Sequence, residues 1–275
     1  MATYEDTARV ELQRWQQDML REPALWDRAT RSLQAKVNSY IPERVHEAVT
    51  TVIRQMTRAV LTGSHYTAPA PLQDGTLAER EARVLQKIEA YRKTAAAEGG
   101  ITGAGGILLG LADFPLLLGI KFKLLFDIAT LFGHSGEDYR ERLYILHIFQ
   151  LAFSSREHRR KTYLAVEYWE KTSDALPPSL DDFDWRTFQQ QYRDYIDLAK
   201  LAQLVPVIGA PVGAVVNYRL IDRLGQTAIN AYRMRWFAAG ADTARAEQAE
   251  LPSASKTTVR QAELPSASKP AGRPE

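Results

Sequence analysis

Apolar side chains recur along this chain at intervals of three and four residues, and the strict alternation of a half-buried strand is essentially missing. Val10, Leu12, Trp15, Met19 and Leu20 predict a polar amphipathic helix over residues 4–20. Pro23 opens a second helix that runs to about Tyr40. Pro42 opens a third, with Val45, Val49, Val52, Ile53, Met56 and Val60 at helical spacing and Gly63 as its stop. Residues 63–76 carry glycine and proline and read as a loop, which divides N-terminal helices over 1–62 from a core over 77–239. A charged helix over 77–98 follows, with Val84, Leu85, Ile88 and Tyr91 as its apolar stripe.

The pattern then changes. From Gly99 to Gly106 glycine dominates, and Ile107–Gly110, Leu111 to Pro115 and Leu116–Phe132 are nearly continuous in apolar residues up to Gly133. Helices are expected over 138–153 and from a capping box at Ser154 and Glu157 to about Thr172. After the Pro177-Pro178 linker, Asp184 caps a helix over 185–204. A second small and apolar segment, 204–217, leads into a last helix ending near Ala239. Residues 240–275 are small and polar, and QAELPSASK occurs at 248–256 and again at 261–269, so a disordered tail that grew by duplication is expected. The fold class is all-α: a multi-helix bundle with two Gly/Ala/Pro-rich apolar hairpin segments.

Composition narrows the function classes. The 275 residues are 45% hydrophobic, enough for a sizeable core. A net charge of +2 supplies no field for nucleic acid. With 0 cysteines, disulfides, thiolate nucleophiles and cysteine metal sites are excluded. The N-terminal stretch carries Glu5, Asp6 and Glu11 and no apolar core, so no signal peptide is expected and the chain is placed on the cytoplasmic side of the inner (cell) membrane.

The two apolar segments, roughly 99–120 and 201–218, are the candidate site. Charges and prolines keep either from being a conventional span. Gly106 and Gly110 are four residues apart, as are Gly209 and Gly213, and small residues at that interval let backbones approach closely. Pro115, Pro206 and Pro211 are expected to kink or restart helices. One reading is a pair of interfacial hairpins entering one leaflet, a peripheral or monotopic association. The other is a buried hairpin core. Arg156, Arg159, Arg160 and Lys161, with Arg233 and Arg235 in the mixed aromatic and basic run 232–237, are candidate contacts to lipid headgroups, and Lys121 and Lys123 can snorkel. Asp113 is either a buried functional acid or the cap of a helix starting at Phe114. Lys123 and Asp127, four apart, form an ion pair.

No catalytic constellation stands out. Gly100 to Gly106 lacks the Lys-Ser/Thr of a phosphate loop and the spacing of a dinucleotide fingerprint. The histidines, 46, 65, 134, 147 and 158, form no helical ligand pair, so neither a metal nor another cofactor is expected.

Thr102 to Gly106, Leu111 to Leu118, Asp138 to Leu143, Val205 to Ala210, Asn217-Tyr218-Arg219 and Tyr232 to Arg235 together resemble the EcsC family of bacterial proteins, over about residues 40–238. That family is named after a protein encoded beside the two subunits of an ABC transporter. The resemblance implies an accessory protein of unestablished biochemical role and carries no catalytic residues over. The leading expectation is a non-enzymatic protein whose partner is a membrane lipid surface or a membrane complex. The alternatives are a soluble helical enzyme or ligand binder with Asp113 or His147 in a pocket between the Gly-rich segments, and a homo-oligomer packed through the Gly-x-x-x-Gly faces.

Overall fold

The computed structural model describes residues 2–22, 43–62, 69–103, 106–173, 176 and 209–250, with the backbone alone at 99–103, 106–113, 209–213 and a few further positions. The helices expected at 23–40 and 185–204, Gly63, Pro206 and most of the duplicated tail motif lie outside the described residues. The fold is all-α. Its helices are α1 (Tyr4–Leu20), α2 (Glu43–Thr62), α3 (Leu77–Gly103), α4 (Gly106–Leu131), α5 (Tyr139–Phe153), α6 (Arg156–Glu167), α7 (Trp169–Ser173) and α8 (Gly209–Glu250). Met1–Phe237 form one compact unit, which includes α1 and α2. The second unit starts at Ala238 and is helical as far as Glu250.

Local chemistry sets the helix ends. Thr3 and Asp6 form a capping box at α1. Thr76 and Glu79 do the same at α3: the Glu79 amide donates to Thr76 Oγ1 at 3.3 Å and the Thr76 amide to Glu79 Oε2 at 2.9 Å. Asp138 caps α5 by accepting from the Arg140 amide. Gly133 ends α4 at φ +91°, and a Cβ there would lie 3.1 Å from the Leu72 carbonyl oxygen. The capping box expected at Ser154 is not formed. Ser154 is instead the C-cap of α5, its hydroxyl donating to the Gln150 carbonyl, and Ser155 is the N-cap of α6 with its hydroxyl on His158 Nδ1 at 3.0 Å rather than on a backbone amide.

The two described prolines differ: Pro115 does not restart a helix, whereas Pro211 lies where one begins. α4 runs through Pro115, so neither Pro115 nor Asp113 starts a helix, and the cap reading of Asp113 is overturned. Pro115 removes one backbone donor without ending the helix. Pro211 falls in the first turn of α8, where its missing N–H has no intrahelical acceptor to lose.

α4 and α5 make the centre. Nearly every side chain from Leu143 to Phe153 is buried, and Phe122 of α4 stacks on Phe149 of α5 at 4.7 Å. A helix apolar all round must be covered all round, and α2, α3 and α6 supply cover. Leu85, expected in the α3 stripe, faces out.

α8 lies so close to α3 that a Cβ on Gly225 would sit 2.5 Å from Ile88 Cδ1 and 2.6 Å from Cγ1. Gly119 in α4 has open space at the same position. The same change should therefore act with opposite sign. Gly225→Ala is expected to lose about 1–3 kcal/mol by overpacking, partly restored by Ile88→Val. Gly119→Ala should gain roughly 0.5–1 kcal/mol. Urea midpoints check both, and a stabilised Gly225→Ala would refute the close contact.

Candidate functional site

α3 fixes where the two apolar segments go, because it runs antiparallel to both α4 and α8. Against α4, Arg80 Nη1 donates to the Leu131 carbonyl at 3.0 Å and Tyr91 OH to Asp127 Oδ2 at 2.9 Å. Against α8, Glu81 meets Arg233, Ile88 meets Gly225, and Arg92 pairs with Asp222 and lies 5.0 Å over the Tyr218 ring. Advancing along α3 means moving back along α8. The backbone of 99–103 is thus set at the same end as 209–213, where α4 also begins.

The described parts of the two segments, about a hundred residues apart, therefore converge at one end of the bundle. There Leu116 is 52% exposed, Val215 51% and Tyr218 38%, while Phe114, Leu117 and Leu118 point inward and are buried. Pro115 is exposed beside Leu116. Gly106, Gly110, Gly209 and Gly213 lie in helical backbone at this end. Their packing, the Asp113 side chain and Pro206 lie outside the described residues.

The basic candidates divide. Arg160 and Lys161 are exposed on α6, whereas Arg159 turns inward and pairs with Asp18 of α1 at 3.7 Å. Arg233 and Arg235 do not face lipid. Arg233 donates from Nε and Nη2 to the two oxygens of Glu81, each at 2.6 Å, and from Nη1 to Glu11 at 2.9 Å. Burial works against its charge, but Glu81 and Glu11 more than offset this and hold it well above the usual arginine range. Tyr4 OH donates to Glu81 Oε2 at 2.6 Å. Arg235 donates to Glu141 Oε2 at 2.6 Å, bonds Glu170 and lies 4.8 Å over the Tyr144 ring. Tyr232 OH donates to Glu141 Oε1. Both guanidinia are filled by carboxylates from α1, α3, α5 and α7, so the 232–237 run is an internal clamp. Local sequence carried no sign of Glu81 or Glu141 as partners, which lie 152 and 94 positions away.

His134 stands 3.7 Å from Glu141, but burial and then Arg235 depress its pKa to about 4, so it is neutral near pH 7. Burial pushes His147 down to about 4 as well; its Nδ1 faces Gln150 and its ring lies against Trp169. Lys123 pairs with Asp127 at 2.6 Å as its spacing predicts; Asp127 is itself buried and takes Lys87 at 3.3 Å besides Tyr91. Lys121 does not snorkel. It is 0% exposed, and its one described polar contact is its own helix's Leu117 carbonyl at 3.4 Å. Among the described residues no three His, Asp or Glu side chains are grouped to hold a metal.

Comparison with known proteins agrees with the resemblance in the motifs. The EcsC protein family matches residues 6–237, so the chain belongs to that family. It is 42% identical to Protein EcsC of Bacillus subtilis (strain 168) over 222 residues, which cover 80% of this chain and 91% of the relative. It is 23% identical over 245 residues to the uncharacterized protein YdbA of the same organism, covering 82% of this chain and 90% of the relative. No solved structure matches. The match begins within α1, as expected if the clamp to α8 is part of the fold.

Proposed function

We propose that this EcsC-family chain is a non-enzymatic accessory protein that associates peripherally with the cytoplasmic face of the cell membrane, where it accompanies a membrane complex such as an ABC transporter. One observation supports the reading above the others: the two apolar segments converge at one end, with Leu116 and Val215 half exposed there. Among the described residues no helix is long and apolar enough to cross a membrane. Contact with the surface of a bilayer is the mode that suits such an end.

Magnitudes fit a reversible contact. Burying a whole Leu or Val side chain gives about 1.5–3 kcal/mol, so the exposed halves of Leu116 and Val215 contribute about 2 kcal/mol together. That is roughly a thirty-fold gain in partition. Leu116→Asp and Val215→Asp are each expected to lower vesicle binding about tenfold or more, with the helical circular dichroism unchanged. Co-sedimentation with liposomes measures it. Wild-type protein that stays in the supernatant with every lipid mixture and at low salt would sink the proposal.

A further inference from the structure

We propose that this end enters a single leaflet of an anionic bilayer as far as a basic collar on α3, α4 and α8, which sits at the headgroups. The proposal rests on the membrane reading above and adds the lipid class and the depth.

Charge is segregated along the three helices. Beyond the collar, α3 over 94–103 carries one charged residue, Glu98, α4 over 106–120 carries only Asp113, and α8 over 209–217 carries none. Glu98 is half-buried and engaged in an interaction. No lysine or arginine occurs in any of the three stretches. The collar follows immediately. Lys87, Arg92, Lys93, Lys123, Arg219 and Arg223 lie along these stretches with Glu89, Asp127 and Asp222, six positive against three negative charges besides the buried Lys121. The ion pairs Arg92–Asp222 and Lys87–Asp127 tie the three helices together at this level. Lys93, Arg219 and Arg223 are exposed, and Tyr218 presents an aromatic ring among them. Basic and aromatic side chains at the edge of an apolar element are the arrangement an interface favours.

The spacing agrees. At 1.5 Å per residue, Leu116 stands about 10 Å beyond Lys123 and Val215 about 6 Å beyond Arg219. Interfacial elements bury their apolar faces to about 5–10 Å. The α3 tip at Gly103 reaches about 15 Å beyond Lys93, half of a hydrocarbon core of about 30 Å. α4 is longer on this side: Gly106 lies about 25 Å beyond Lys123 along its axis, so Lys123 marks the outer edge of the collar and Lys93 and Arg219 its inner edge.

The chain has no cysteine, so single-cysteine variants take one label each. Leu116→Cys and Val215→Cys would carry an environment-sensitive fluorophore, with Tyr168→Cys as the exposed control near the clamp. Vesicles would be phosphatidylcholine alone or mixed with phosphatidylglycerol, with brominated chains at shallow and deep positions. The expected result is blue-shifted emission and shallow-chain quenching at 116 and 215, and neither at 168. Binding should be at least tenfold tighter to the anionic vesicles and weaken with salt. Lys93→Gln with Arg219→Gln should cost roughly thirty-fold on anionic vesicles and little on neutral ones. Equal binding to both vesicle types removes the collar's role. Bound protein with silent labels at 116 and 215, or quenching at 168, removes the orientation; either result leaves membrane association standing. Absence of binding to any vesicle overturns both proposals.

Discussion

Arg233→Met is expected to destabilise the protein by about 3–5 kcal/mol, the cost of leaving a buried ion-pair partner uncompensated. The loss follows from where the carboxylates sit. Glu81 is 1% exposed and would retain only the Tyr4 hydroxyl, while Glu11 would lose its contact altogether. At roughly 2–4 °C per kcal/mol for a protein of this size, Tm should fall by about 10 °C. α1 should also loosen, because Tyr4 and Glu11 are two of its anchors. Limited proteolysis would show earlier cleavage inside α1. The double variant Glu81→Leu/Arg233→Met should recover part of the loss, since replacing a whole buried pair by apolar groups is far cheaper than breaking it. A single variant within 1 kcal/mol of wild type would mean that the clamp is not desolvated.

Lys121→Met should act in the opposite direction. Burial lowers the amine pKa from 10.5 to about 7 in the folded protein. Between those values the unfolded chain holds the proton more tightly, so raising the pH stabilises the native state. Stability is fully recovered above the unfolded value and is lost as the pH falls towards about 7. At pH 7 the penalty amounts to about 4 kcal/mol by linkage, an upper figure for a rigid site. Lys121→Met removes it, and Met fits the slot of an unbranched chain. The variant should be more stable at pH 7 by up to that amount, with the difference closing by pH 10. Urea unfolding of both proteins across this range measures it. A difference independent of pH would show that the amine is not titrating in the core.

How much of this was legible in the sequence depended on how far apart the interacting residues lie. Within one helix the spacing sufficed. Asp138 caps its own helix, Gly133 ends α4, and Lys123 pairs with Asp127 one turn away. In the apolar stripe of α3, Val84 and Ile88 are buried. Two equivalent cap signatures had different outcomes, however. Thr76 with Glu79 closes a box, whereas Ser154 spends its hydroxyl on the Gln150 carbonyl and on contact with Thr162. Which hydroxyl is free to cap depends on the helix before it.

Across helices the sequence was silent. A mixed aromatic and basic run has the same composition at a lipid surface and inside a carboxylate clamp. Only the distant Glu81 and Glu141 decide between them. Lys121 and Lys123 are two residues apart on one helix, yet one is in the core and the other is paired near the surface. The candidate end was legible as composition, while its convergence was not, because it needs the α3 register against both α4 and α8. Gly225, whose Cβ position meets Ile88, was not singled out by the spacing, and the packing of the paired glycines lies outside the described residues.

The clamp on α8 also orders events in time. Glu11 and Arg233 are 222 positions apart. Synthesis delivers α1 long before its dock. Until α8 emerges from the ribosome, the first helix lacks the Arg233 guanidinium it binds, and the carboxylates awaiting Arg233 and Arg235 stay hydrated. Closure of the bundle thus waits for Arg233 to emerge, a non-local step of the kind that slows folding. A chain cut short before Arg233 never reaches it.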